Sequence, residues 1–402
     1  MKNFPLRPKL RQAVSLAAIT AVITFASFAQ AQSLTNIWRL LPSTVETPGD
    51  RTWLTTNNNQ RGMTFNAPSN QVLVLSREGG NGVYVLNAAD GSDVNTLKLT
   101  DSNNATIIGV GTFTVNMVCA AEDGAIYAGN LVTANTTPFR LYRWANTDPT
   151  TSPTLAFSGD PGAGVSGRFG DQMVIRGSGV NTEILVGSGS SFVSLLKTID
   201  GENFMAQRID VPALTAGNLK FGLSFYTNNS FWAKSSGFPL ALISYVSNTP
   251  TTGSGTVVAS FATTVFPSGN NIISANPTSM QLAAIDTTRV VRLYDISNLS
   301  VPPIFLAQTN FSTSFANGNT TGAQIFGGTN RVFSLYSNNG LIASAIEYPV
   351  APVGPSIVNQ PVNQTVYETF AAATFSVTAT GTAPLRYLWQ RDGTTIVGAT
   401  NN

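Results

Sequence analysis

The chain has 402 residues, of which only 10% are charged, with 22 Lys and Arg against 20 Asp and Glu, a single cysteine and no histidine. Without histidine there is no Ser-His-Asp or Cys-His catalysis and no imidazole ligand for zinc or copper, and one cysteine cannot form an intrachain disulfide. Chemistry by carboxylate, Lys, Tyr or Ser, an oxygen-ligated metal, or binding without catalysis remains open.

The first element is a leader. Lys2, Arg7, Lys9 and Arg11 precede an apolar run from Ala13 to Phe28 and a small-residue stop at Ala29-Gln30-Ala31, the pattern of a secretory signal peptide over residues 1–31. The run is shorter than the roughly 20 residues that span a bilayer, so the mature chain is expected to be secreted or extracellular, periplasmic or on the cell surface, with no membrane span. The leader holds no Asp or Glu, so of the 22 basic residues 18 remain against 20 acidic ones, a net charge of −2. No cationic stripe is left for a nucleic acid backbone, and nucleic acid is not an expected partner.

Beyond the leader the chain is rich in Gly, Asn, Ser and Thr and carries short β-branched runs, which favour strands joined by tight turns and an all-β fold. Strand openings recur near Arg61, Phe113, Phe169, Phe221, Ile272 and Ala323, a period of roughly 50 residues with three or four strands in each. In the first repeat the strands read Gly62 to Phe65, Gln71 to Leu75, Val83 to Leu86 and Thr96 to Leu99, and Asn87-Ala88-Ala89-Asp90-Gly91 supplies a hairpin turn. In the second, Cys119 lies in the apolar run Val115 to Ala121 and reads as a small buried hydrophobe. Phe139 to Trp144 then alternates, with Phe139, Leu141 and Arg143 on one face and Arg140, Tyr142 and Trp144 on the other.

The last repeat offers Ala323 to Phe326, Arg331 to Tyr336 and Leu341 to Glu347 and is one strand short; Leu34 to Leu40 is available to fill the gap. Repeats that bury both faces only against neighbours point to a β-propeller over residues 32–348, six-bladed, with seven blades as the alternative and a tandem β-sandwich as the competing architecture.

Several phrases strengthen this reading: Tyr84-Val85-Leu86-Asn87 with Asp90-Gly91, Asp123-Gly124-Ala125-Ile126-Tyr127, Tyr142-Arg143-Trp144, Arg168-Phe169-Gly170-Asp171 and Thr198-Ile199-Asp200-Gly201. With these, residues 34–348 resemble an uncharacterised propeller-like domain family of bacterial secreted proteins, a resemblance that brings no catalytic residues with it. After a Pro-rich linker, 349–355, come Gln360-Pro361, Ala373 to Val377, Leu385-Arg386-Tyr387-Leu388-Trp389 and Asp392-Gly393. Residues 356–402 thereby resemble the opening half of a bacterial immunoglobulin-like domain. The resemblance implies that Trp389 is the buried strand-C tryptophan, while an apolar residue of the Phe375–Val377 region stands where such domains often have a cysteine. A whole domain of this kind takes about 100 residues, so the natural protein is expected to continue past Asn402 or this chain to be a fragment.

Among polar clusters, Arg168-Phe169-Gly170-Asp171 admits two readings, a ligand-contacting ion pair or a salt bridge that fixes a turn. Thr198 to Phe204 is similar to the structural turn of sialidase-type Asp boxes, with Asp200 accepting backbone hydrogen bonds. Asp90 with Asp93 and Asp200 with Glu202 sit in turns and lack the ligand spacing of a calcium loop, so no metal, cofactor or catalytic residue is assigned. Trp144, Trp232 and Tyr142 are the aromatic candidates for a glycan surface, against the commoner role of such rings in the core.

A ligand site is expected where the first strands open, from Arg61, Asn116, Arg168, Asp171 and Lys220, a set suited to a polar or anionic ligand such as an acidic sugar. The expected function is noncatalytic binding or scaffolding, in adhesion or glycan recognition, with an extracellular polysaccharide or cell-surface component as partner. The alternative is a carbohydrate-active lyase or hydrolase working with Asp171 or another carboxylate.

Overall fold

The structure, a computed structural model, describes residues 32–42, 51–311, 321–348, 353–362, 364, 374–382 and 385–400. The leader, 1–31, and residues 349–352 of the linker lie outside these. Two compact units divide the chain, one of residues 31–348 and a smaller one that contains residues 349–402. Among the described residues no helix is long and apolar enough to cross a membrane.

The larger unit is all-β, and its strands pair in runs of four. After β1 (Ser33–Leu40) come β2 (Gln60–Asn66), β3 (Gln71–Ser76), β4 (Gly82–Asn87) and β5 (Asp93–Thr96), then β6 (Phe113–Ala120), β7 (Ile126–Leu131), β8 (Phe139–Trp144) and β9 (Thr154–Gly159). The third run is β10 (Met173–Arg176), β11 (Glu183–Gly187), β12 (Phe192–Thr198) and β13 (Phe204–Asp210), and the fourth β14 (Gly222–Phe225), β15 (Ser230–Lys234), β16 (Leu240–Ser247) and β17 (Thr252–Phe261). The fifth is β18 (Ile272–Asn276), β19 (Gln281–Ile285), β20 (Val290–Asp295) and β21 (Ile304–Asn310). The sixth holds β22 (Gly322–Phe326), β23 (Arg331–Tyr336) and β24 (Gly340–Glu347), and its outer place is taken by β1.

Consecutive strands within a run are antiparallel, as short turns require. The third and fourth runs also merge into one eight-stranded sheet, because Arg208–Asp210 of β13 pairs in parallel with Thr252–Ser254 of β17. Its two edge strands, β10 and β14, touch each other, so this sheet curls nearly back on itself.

Period-two alternation sends the two faces of each run into different cores. Phe139 and Leu141 of β8 pack with Ile184 and Val186 of the next run, whereas Tyr142 and Trp144 pack with Val83 and Val85 of the preceding one. Six apolar clusters result, one between each neighbouring pair of runs, the last joining Phe333 and Leu341 to Val72 and Val74 of the first. No run could bury its faces alone. Cys119 lies in one of these cores, where burial pushes its thiol well above the ordinary range.

Several expectations change in detail. Trp144, Trp232 and Tyr142 are fully buried, and Trp144 donates its indole N–H to the carbonyl of Lys98 at 2.7 Å, so none of the three is a glycan platform. The fourth strand of the first run is Asp93–Thr96, not Thr96 to Leu99, since Leu97 drops into the core instead. The third run opens at Met173, not at Phe169, which forms an isolated bridge with Val132 before the strand begins. The Asp200 turn forms as expected: the carboxylate accepts from the Asn203 side chain (2.7 Å) and from the backbone N–H groups of Asn203 (2.7 Å) and Glu202 (2.9 Å), which hold its pKa well below the usual carboxylate range.

In the smaller unit β25 (Ser356–Asn359) pairs with β26 (Thr378–Thr380), and β27 (Gln390–Arg391) with β28 (Thr394–Thr395). Neither 374–377 nor 385–389 is a strand; pairing begins just after each. Trp389 is half-buried rather than enclosed, and it walls a space of about 10 Å³ with Ile357, Pro361 and Val377.

Candidate functional site

The first strands of the six runs form a ring: β2 touches β6, β6 touches β10, and the series continues through β14 and β18 to β22, which touches β2. They enclose a cavity of about 480 Å³. At the end where these strands begin, Arg61, Asp171, Gln172, Phe221, Asn271 and Thr321 close the space down to about 10 Å³, the room of a single water.

Asp171 is the centre of that closure. Its carboxylate, only 4% exposed, accepts a fork from Arg168, Nε at 2.5 Å and Nη2 at 3.1 Å, and Lys220 Nζ lies 4.0 Å away. Arg61 borders the same small space and donates Nε to the carbonyl of Asn58 at 3.3 Å. Burial lowers the Arg61 pKa, Asp171 opposes that shift, and the charge of Arg168 adds to it. The hydrogen bond to Asp171 raises the pKa of Arg168.

Local chain geometry places these groups. Phe169 exchanges hydrogen bonds with Val132 (2.9 and 3.0 Å), and Gly170, at φ +97°, turns the chain so that Asp171 faces the ring end. A side chain there would be strained at that φ and would collide with Asn130 of β7. Asn116 donates Nδ2 to the carbonyl of Gly170 at 2.7 Å and accepts from Arg77 Nη1 at 2.9 Å. Four of the five expected residues, Arg61, Arg168, Asp171 and Lys220, therefore gather at one ring end. Asn116 is buried behind them as a brace.

Arg77 is the member that sequence reasoning missed. It stands directly after β3, and the pairing of Ser76 with Gln60 carries it beside Arg61. Its Nη2 donates to the carbonyl of Asn58 at 2.8 Å, and its guanidinium lies 3.6 Å from the centre of the Phe113 ring. Burial, and then the Arg61 charge, push its pKa down to about 10. Four cations thus lie around one carboxylate, two of them, Arg168 and Lys220, within 4.0 Å of it. Asp171→Asn keeps the shape and removes the countercharge, and it should lower stability by about 2 kcal/mol in urea denaturation. That is less than the 3–5 expected for a fully buried pair, because Arg168 is 40% exposed. An unchanged midpoint would show that the cations are already compensated by solvent.

In fold, the chain is similar to a DUF4623 family protein. That protein, from Bacteroides eggerthii DSM 20697, matches 81% of this chain over 77% of its own length, with a TM-score of 0.55 and 14% sequence identity. Raptor of Chaetomium thermophilum aligns with 73% of the chain over 28% of its own length, at a TM-score of 0.44 and 11% identity. No family model matches the sequence, and no curated protein matches it.

At the opposite end of the ring the cavity is bordered by Phe65, Glu122, Arg176, Phe225, Tyr226 and Phe326. Its two charged side chains are already engaged. Glu122 accepts from the N–H of Gly177 at 3.0 Å. Arg176 forks onto Glu183 at 2.5 and 2.8 Å, donates to the Tyr245 hydroxyl at 2.7 Å and lies over the Phe225 ring. Among the described residues no cluster of three or more His, Cys, Asp and Glu side chains could hold a metal ion.

Proposed function

We propose that this chain is an exported, noncatalytic binding protein: a six-bladed β-propeller closed by its own first strand, followed by the opening of an immunoglobulin-like module, that captures an acidic glycan at the strand-opening end of the ring. The six runs of four strands, the cyclic set of cores and the pairing of β1 with β24 support the architecture. The observation that carries the binding reading is the excess of cations, Arg61, Arg77, Arg168 and Lys220 around the one carboxylate of Asp171. An incoming carboxylate or sulfate can take Lys220 and the exposed part of Arg168 without leaving Asp171 unpaired.

Glycoside hydrolysis needs two carboxylates facing each other across a site. The large cavity is bordered by Glu122 alone and the small one by Asp171 alone, each already bonded within the protein. Binding therefore fits the site better than hydrolysis.

The test is affinity electrophoresis of the protein in gels containing polygalacturonate or alginate. Arg168→Ala with Lys220→Ala should cut retardation at least tenfold, the loss of about one charge-assisted hydrogen bond; because Asp171 also loses its fork, the melting temperature should fall as well, and circular dichroism checks that the variant is folded. Retardation that is absent in the unsubstituted protein, or undiminished in the double variant, would refute an anionic site here.

A further inference from the structure

We propose that the 480 Å³ cavity inside the ring is a second binding site, for a neutral ligand that carries hydroxyl groups on an apolar body, as a neutral sugar ring does. Its size falls within the roughly 300–1,000 Å³ of small-molecule sites. Half-buried Phe65, Ile175, Ala275 and Ile325, from four different strands, line it with apolar surface.

Two buried polar side chains in the same wall, Gln172 and Ser274, have unspent hydrogen-bonding capacity. Gln172, 6% exposed, borders both the cavity and the closed ring end, and Ser274 is 7% exposed. Among the described residues neither the Gln172 amide nor the Ser274 hydroxyl makes a hydrogen bond. Gln324, on the same wall, uses its Nε2 on Ser334 at 2.9 Å, and its Oε1 is sealed from the cavity. Elsewhere on the wall the capacity is spent, since Thr64 accepts from the N–H of Ala120 at 3.1 Å and Ser224 from that of Ala275 at 2.8 Å. Gln172, just before β10, and Ser274 of β18 border one shared space.

The chemistry of these groups selects the ligand. Glu122 and Arg176, the charged side chains on the wall, are engaged within the protein, so an ion entering the cavity meets no free countercharge. Gln172 and Ser274 can both donate and accept. Hydroxyl groups match both, and the C–H face of a pyranose suits the Phe65 and Ile325 surface.

Isothermal titration of the protein with glucose, galactose, mannose, N-acetylglucosamine and their β-linked disaccharides, to about 50 mM, tests the proposal, with galacturonate oligomers as the acidic arm. At least one neutral sugar should bind. Gln172→Met and Ser274→Ala should each weaken it at least tenfold with the melting temperature held or raised, while Arg168→Ala with Lys220→Ala leaves it intact. The proposal is overturned if no neutral sugar binds, if binding survives both cavity variants, or if only the Arg168/Lys220 variant abolishes it. Should Gln172→Met fail to fold, Ser274→Ala alone decides. Loss of the acidic arm with retention of the neutral one would refute the ring-end reading and leave this one standing.

Discussion

Deleting residues 32–40 should abolish the native fold. β1 pairs with β24 along its whole length, from Ser33 opposite Glu347 to Leu40 opposite Leu341, and without it β24 becomes a long, apolar, unpaired edge. The deletion also strips Leu34 from a core that holds Ile342 and Ile346, and Trp38 from beside Phe333. Asn36 is lost as a clamp: it accepts from the hydroxyls of Ser344 (3.0 Å) and Thr309 (3.1 Å) and donates to the carbonyl of Asn310 (3.2 Å), tying the sixth run to the fifth. Losing one large core side chain costs about 3–5 kcal/mol and each ladder hydrogen bond about 1, so the total rivals the roughly 5–15 kcal/mol of a whole domain.

Circular dichroism and gel filtration should show an unfolded or aggregated chain, and a synthetic peptide of residues 32–41 added in refolding should restore it. Ile37, the extra residue of the bulge in β1 and 44% exposed, supplies the control, because Ile37→Asn should melt like the unsubstituted protein. A truncated protein with a native melting curve would show that the ring closes without β1.

Gly170→Ala should cost about 3–5 kcal/mol. Two penalties coincide: positive φ disfavours an L side chain by about 1–2 kcal/mol, and the new Cβ would lie 2.0 Å from the carbonyl oxygen of Asn130. That oxygen belongs to β7, in the middle of a sheet, and cannot retreat as the tip of a flexible side chain would. Relief must come from moving 168–171, which breaks the Val132 bridge and the Asn116 bond together. Gly79→Ala separates the two penalties, since its φ is +66° and nothing lies within 4 Å of the added carbon. Urea denaturation should show about 1–2 kcal/mol lost at Gly79 and clearly more at Gly170. Equal losses would mean that the 168–171 segment yields freely.

Much of this arrangement was legible in the sequence because it depends on period and position. The recurrence of strand openings and the missing strand of the last repeat depend on alternation and spacing, and Leu34 to Leu40 does pair with Gly340–Glu347. Arg61, Arg168, Asp171 and Lys220 were found because they lie at or just before the openings of first strands, which meet at one place. Phe169 misled, because an apolar residue at the expected spacing looks like a strand opening while the turn at Gly170 delays the strand to Met173. Arg77 was hidden by its position after a second strand, where only pairing register reveals its neighbour. Gln172 and Ser274 were illegible for a different reason: a neutral polar residue beside or within a strand reads as solvent-facing until a closed ring puts a cavity in front of it.

Ring closure also sets the order in which the molecule can be built. Ser33 and Glu347, hydrogen-bonded side chain to side chain, are 314 residues apart, while each of the first five runs draws its four strands from its own stretch of about 50. The runs can therefore form one after another, and the clasp between β1 and β24 must wait until the last of them exists. Long-range pairing of this kind is slow. During the wait β1 is a loose strand and β24 an open receptor, so at high concentration the β1 of one copy can enter the β24 of another. Self-closure and domain-swapped dimerisation then compete for the same edge, and protein concentration during refolding, rather than the stability of the finished ring, decides between them.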